Sequence, residues 1–312
     1  MIKGVPFRNR STAQQHVARP QTAVELAPEG ALDATLPTAG AAPTYAFAPL
    51  PPGALVPGIA EPNIKAPEAV ADALRIALDQ IEPKKRSVSL IIPDTSARVF
   101  VLDFDSFPNK LAEALPVLRF RLRKMVPFDV EHAAVSYQIL ARNGSSAAGG
   151  ELRTLVTVMP GAILAEYEAA VRAAGYEPGA VLPSSMAALA AVDSIEAVLA
   201  VNLSSVALTT SITAGDDLLL YRTIDLPSDN AARLDEVQRS VAVAAAWFED
   251  KLQAPARLLH YAGAVPVSEF ARAISDANLE VVEIASTPQT GATTTAGPIS
   301  FAGIAGALTG VA

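Results

Sequence analysis

Residues able to make or break bonds are scarce in this chain. It has no cysteine, which removes thiol catalysis, thiolate metal sites and disulfides together. Its three histidines, His16, His132 and His260, lie far apart in sequence and show no His-x-x-x-His spacing, so no metal site is expected. His260, next to Tyr261 in an apolar run, reads as a hydrogen-bonded core residue. The paired serines, Ser184-Ser185 and Ser204-Ser205, sit in no Gly-x-Ser-x-Gly elbow, and serine hydrolase chemistry has no support. Asp103/Asp105 reads as a strand end, and Asp216/Asp217 as a turn because Gly215 precedes it. What stands out is cationic. Arg119, Arg121, Arg123 and Lys124 crowd into the stretch LPVLRFRLRKMVPFDVEHAAVSY, from Leu115 to Tyr137. Such groups serve binding rather than catalysis. They suit acidic lipid headgroups or an acidic partner, and the competing reading is a solvated face balanced by Glu113, Asp129 and Glu131.

These cations need a helix to carry them. At 100° per residue the three arginines spread over a wide arc, whereas Leu115, Leu118, Leu122 and Val126 share one face. The helix is therefore expected to pack by its leucines, show a broad basic side and stop at the Pro127-Phe128-Asp129 corner. Around it, 312 residues with 51% hydrophobic content can bury a large core, as one large domain or two modest ones. A net charge of -8 argues against non-specific nucleic-acid binding, which needs a basic surface. The longest apolar run, Val241 to Phe248, is far below the roughly 18 residues of a membrane span. The first twenty residues are basic and lack an apolar stretch, so no secretory signal is expected and disorder is.

Three short apolar segments separated by turn residues, Thr22 to Leu26, Ala31 to Leu36 and Thr44 to Ala48, predict a meander. A proline-rich connector leads to Pro67, and Val70, Leu74, Leu78 and Ile81 then recur at helical spacing. Ser87 to Ile92 is a strand. The second half repeats the order: strands over Ala197 to Leu203, Val206 to Thr213 and Leu218 to Ile224, then a helix from Arg233 to Leu252, apolar nearly all round and so expected to be central. A strand from Arg257 to Tyr261, a helix from Val267 to Ala277, a strand from Glu280 to Ile284 and a small-residue helix from Ile299 to Thr309 follow. The same order met twice indicates duplication. Between the halves lie a strand with Val99, Val101 and Leu102, the cationic helix, a hairpin of Ala134 to Arg142 and Leu152 to Met159 around the loop NGSSAAGG, a helix from Ile163 to Ala174, and a short helix holding Leu189.

A duplicated mixed sheet with an insertion in its first half resembles the actin-like ATPase superfamily. The runs IIPDTSARVFVLDFDSFP, LRFRLRKMVPFDVEHAAVSYQIL and GYEPGAVLPSSMAAL are similar to the type IV pilus assembly protein PilM family, relatives of the cell-division protein FtsA. The resemblance implies an α/β fold with duplicated actin-like (RNase H-like) mixed sheets, helices on both faces, and an FtsA-like subdomain inserted in the first half. The segments are then a disordered basic tail (1–20), the first half (21–96), the insertion (97–159), a return to the first half (160–195) and the second half (196–312). It further implies a cytoplasmic adaptor, peripheral to the inner membrane, that binds the tail of a PilN-like membrane protein and links it to the pilus motor ATPases. Arg119, Arg121, Arg123, Lys124 and Phe128 are its candidate contacts. Two alternatives stay open: an active ATPase of this fold, and a polymer-forming cytoskeletal protein.

The family's fold implies ATP with Mg²⁺, held by two phosphate hairpins and an adenosine loop. The hairpins need an acid followed by glycine, because a Cβ blocks the backbone from the phosphate. Here the first reads Val24-Glu25-Leu26-Ala27, with Glu25 for aspartate and Ala27 for glycine. The second reads Val201-Asn202-Leu203-Ser204, which loses both the carboxylate and the glycine. Where the adenosine loop expects paired glycines, the chain has Tyr261-Ala262-Gly263-Ala264. A degenerate site, no resident cofactor and no enzymatic activity are expected.

Overall fold

The computed structural model describes residues 19–38, 42–142, 152–192, 194–215, 217–285 and 299–309. Outside them lie residues 1–18 of the tail expected to be disordered, the hairpin loop at 143–150, Asp216, and the Thr/Gly-rich loop before Ile299.

The chain opens with the antiparallel meander β1 (Thr22–Ala27), β2 (Gly30–Thr35) and β3 (Thr44–Pro49). Gly30 is required where β2 starts: a Cβ there would lie 2.4 Å from the Ala48 carbonyl oxygen and 2.5 Å from the Phe47 ring. The proline-rich connector is pinned at Asn63, whose backbone N–H, like that of Ile64, donates to the Glu166 carboxylate. Helix α1 (Pro67–Ile81) starts on Pro67, buries Val70, Leu74, Leu78 and Ile81, and stops where Glu82 turns left-handed. Each fully buried leucine there contributes roughly 2 kcal/mol of apolar transfer. Strand β4 (Ser87–Ile92) then pairs parallel with β1.

Here the insertion begins. After a 3-10 turn at Asp94–Ser96 come β5 (Arg98–Phe104), α2 (Leu111–Leu122), β6 (Ala133–Arg142) and β7 (Leu152–Pro160), a separate antiparallel sheet in the order β5-β7-β6. Helix α2 covers one face of it through Ala114, Leu118 and Leu122, which meet Leu102, Phe104, Val156 and Val158. The other face, with Val99, Val101 and Leu155, meets Val198, Ala200 and Leu218 of the second half. Ala97 and Met159, at its two ends, join the core of the first half, so the insertion is packed against both halves.

Helix α3 (Gly161–Ala173) returns to the first half, and β8 (Glu177–Pro183) pairs parallel with β4 to complete the sheet β3-β2-β1-β4-β8. Sequence reading missed β8, because Pro178, Gly179 and Pro183 mark it as a loop. It survives as an edge strand, where a missing ladder donor can face away from the sheet. A short helix, α4 (Ser184–Leu189), crosses to the second half. There β9 (Ala197–Leu203), β10 (Ala207–Ala214), β11 (Asp217–Asp225), α5 (Asn230–Leu252), β12 (Leu258–Gly263), α6 (Val267–Ala273) and β13 (Glu280–Glu283) form the sheet β11-β10-β9-β12-β13. Both five-stranded sheets have the same order and strand directions, a meander followed by two parallel strands.

Helix α5 is not central. It buries Val237, Ser240, Val241, Ala244 and Phe248 and leaves Val243 and Leu234 exposed. The expectation rested on Val243, Ala245 and Trp247 off the main face, but Val243 is exposed and Ala245 and Trp247 are only half-buried. Helix α6 is shorter than expected, and a 3-10 turn at Ser275–Ala277 completes the segment. The last helix, α7 (Ala302–Leu308), returns across the molecule and packs Phe301, Ile304, Ala307 and Leu308 on Ala23, Leu32, Ala34 and Ile91 of the first sheet. It crosses α4 closely: a Cβ on Gly306 would lie 1.9 Å from the Ala187 carbonyl oxygen. Among the described residues, no helix is long and apolar enough to cross a membrane.

Candidate functional site: the cleft between the halves

The ends of β1 and β9 face each other across the helices α4 and α7, and their side chains are joined. Glu25, buried at the end of β1, accepts a hydrogen bond from the Ser184 hydroxyl at 2.6 Å. Asn202, at the equivalent place in β9, donates to the hydroxyls of Ser184 at 3.3 Å and Ser185 at 3.0 Å. The Ser185 hydroxyl donates in turn to Asp94, a residue that sequence reading did not single out. Asp94 also accepts from the Ser185 backbone N–H at 3.0 Å, from Thr209 at 3.1 Å and from the Tyr221 hydroxyl at 3.2 Å. A continuous polar seam therefore runs from the first half through α4 into β9, β10 and β11 of the second.

Burial dominates its electrostatics. It pushes the Glu25 carboxyl up to about 7; the Ser184 hydrogen bond pulls the other way, and nearby Asp94 adds to the rise. Burial also raises Asp94, against the pull of its hydrogen bonds to Ser185, Thr209 and Tyr221. The Tyr221 hydroxyl is pushed well up by burial and by the Asp94 charge. Among the described residues, no cation contributes at either carboxyl. The second Glu25 oxygen makes no hydrogen bond, and a Cβ on Gly303 of α7 would lie 2.6 Å from it.

At these positions the polar groups are engaged within the chain itself. Glu25 is turned into the protein between Ser184 and α7, not outward to a hydrated ion. Asn202 spends its amide donors on the two serines. Ser204 folds over its own turn, accepting from the Val206 and Ala207 N–H groups, while its carbonyl and that of Ser205 receive the Arg233 guanidinium at 2.7 and 2.6 Å. Phosphate recognition wants outward N–H groups at this hairpin. Ala27 closes the β1–β2 turn in register with Gly30. Gly263 ends β12 beneath the Tyr261 ring, whose oxygen would stand 2.1 Å from a Cβ there and which donates to the Val265 carbonyl at 3.0 Å. That glycine accommodates a tyrosine of its own chain.

The cationic stretch lies elsewhere, on the insertion, and its members do different things. Arg119 is half-buried and turned inward, with one nitrogen 3.5 Å from the Ala133 carbonyl. Arg121 lies 5.6 Å from the Phe104 ring centroid, Arg123 pairs with Glu131, and Lys124 is exposed. Of the other expected counter-charges, Glu113 pairs with Lys110 and Asp129 with His132. Phe128 is half-buried against the α2 core, and Leu115 is half-buried where Leu118, Leu122 and Val126 are buried. His260 is half-buried in β12, where burial lowers its pKa; His16 falls outside the described residues.

No family model matches the sequence, and no curated protein does. Solved structures do. A PilM–PilN type IV pilus biogenesis complex superposes with a TM-score of 0.73 at 18% identity, covering 94% of this chain and 99% of that one. The ethanolamine utilization protein EutJ from Carboxydothermus hydrogenoformans gives 0.50 at 10% identity, over 94% and 93%. A Bacteroides thetaiotaomicron protein described as having an actin-like ATPase fold and unknown function gives 0.49 at 10%, over 84% and 89%. With its two sheets of one topology and its crossing helices, the chain has the actin-like ATPase fold.

Proposed function

We propose that this chain is the cytoplasmic adaptor of a type IV pilus inner-membrane assembly complex, peripheral to the membrane, and that it binds the cytoplasmic tail of a PilN-like membrane protein. One observation carries the reading: the superposition on the PilM–PilN complex covers 94% of the chain. The unmatched 6% of 312 residues is about 19, fewer than the 63 of the insertion from 97 to 159. So the insertion takes part in the match, not only the two halves that many actin-like proteins share. The adaptor is not a nucleotide hydrolase. Support comes from the seam of Glu25, Ser184, Asn202, Ser185 and Asp94, which spends on one another the polar groups a phosphate site would present. In this role the chain connects the membrane protein to the pilus motors.

The test is capture of the purified full chain by the immobilised tail of the membrane protein encoded beside it, with calorimetry of the chain against MgATP. Saturable tail capture with no MgATP heat is expected. Micromolar MgATP binding overturns the non-enzymatic half of the proposal, and absence of tail capture overturns the adaptor half.

A further inference from the structure

Helix α2 has a solvent-facing pole that sets an exposed aromatic ring among cations. Its buried line runs through Ala114, Leu118 and Leu122, so the opposite direction, half a turn away, is centred on Phe120. Phe120 is 69% exposed with Val117 beside it at 37%, while Leu111 at 60% opens the helix and Met125 at 39% lies just past its end, both away from this pole. Four of the ten large apolar residues exposed among the described ones fall in these fifteen positions. From Lys110 to Met125 the chain holds five cations and one carboxylate, Glu113, a local charge of +4 in a chain of -8.

We propose that this pole docks on the surface of an anionic lipid bilayer. The sequence left two occupants for the cations, acidic headgroups or an acidic protein segment, and the geometry favours the first. The pole is the crest of an exposed helix, convex along its length, whereas a peptide partner is usually taken in a groove or along a free strand edge. Its centre is an aromatic ring standing out into water, flanked one turn on by Arg123 and Lys124. Such long side chains keep their charges at headgroup level while the ring enters the acyl boundary. Arg119 lies outside the arrangement, since it is directed at the Ala133 carbonyl. Arg123 is partly neutralised by Glu131, so Arg121 and Lys124 carry most of the attraction. The inference does not rest on the tail reading, because it needs no second protein.

The experiment is sedimentation of the full chain with vesicles of phosphatidylcholine containing about one-third phosphatidylglycerol, against phosphatidylcholine alone. The chain should sediment with the anionic vesicles, fall away as salt is raised, and stay in solution with the neutral ones. Phe120→Ser, and separately Arg121→Glu with Lys124→Glu, should each weaken binding by about tenfold or more with unchanged circular dichroism and melting. Failure of the unmodified chain to sediment with anionic vesicles overturns the proposal, including the case in which the same variants lose capture by the membrane-protein tail. So does equal sedimentation of chain and variants, or of anionic and neutral vesicles.

Discussion

Replacing Glu25 by glutamine should change how stability depends on pH far more than how the protein looks. The carboxyl is buried between Ser184 and α7 with its pKa raised from 4.5 to about 7, chiefly by burial. An acid with a raised pKa holds its proton more tightly in the folded chain. Its stabilising contribution is complete below the unfolded value and is lost as pH climbs through the folded one. The difference is about 2.5 units, which at roughly 1.4 kcal/mol per unit amounts to about 3.5 kcal/mol lost in all as pH rises from well below 4.5 to well above 7. Glutamine keeps the volume and can still accept from Ser184, but it does not titrate. Asp33 is also raised by burial, and its oxygens have no partners, so both proteins will lose stability with rising pH on its account. The informative quantity is therefore the difference between them. In urea unfolding at pH 5 and pH 8, the unmodified protein should lose about 2.5 kcal/mol more than Glu25→Gln. Parallel pH profiles would refute the placement of Glu25, because a carboxylate facing solvent in an open cleft has an ordinary pKa.

Two further substitutions probe the joints of the fold. Asp94→Ala leaves the donors of Ser185, Thr209 and Tyr221 without their acceptor and should cost about 3 kcal/mol, with faster hydrogen exchange in α4 and β10; exchange unchanged there would show that the seam does not hold the halves together. Gly306→Ala sets a methyl group 1.9 Å from the Ala187 carbonyl oxygen, so α7 must lift from α4 at a cost of about 1–3 kcal/mol, read as a lower melting midpoint; an unchanged midpoint would count against the close crossing.

Much of the fold was readable because its elements obey one period at a time. The meander strands and α1 fell within a residue or two of their observed bounds, since turn residues punctuate the strands and Val70, Leu74, Leu78 and Ile81 keep a helical spacing. Strand β8 was hidden by its prolines, which are tolerated only because β4 is its one neighbour in the sheet. The α5 error has the opposite cause: apolar residues off the main face, Val243 above all, stay at the surface where nothing packs over them. At the cleft, the substituted positions Glu25, Ala27, Asn202 and Ser204 could be found by comparing motifs, but what fills the space could not. Asp94 sits in Pro93-Asp94-Thr95, which by itself reads as a turn, and its partners Ser185, Thr209 and Tyr221 lie 91 to 127 residues further on. Nor does local spacing show that Arg119 turns inward while Phe120 turns out. That follows from which side of α2 meets β7.

We propose that the chain recognises a membrane-protein tail without using nucleotide. The most direct measurement is a titration of the full chain with the PilN-like tail, in the absence and presence of MgATP. One saturable isotherm, the same in both conditions, is the predicted result. No binding, or binding that appears only when MgATP is added, would contradict the account.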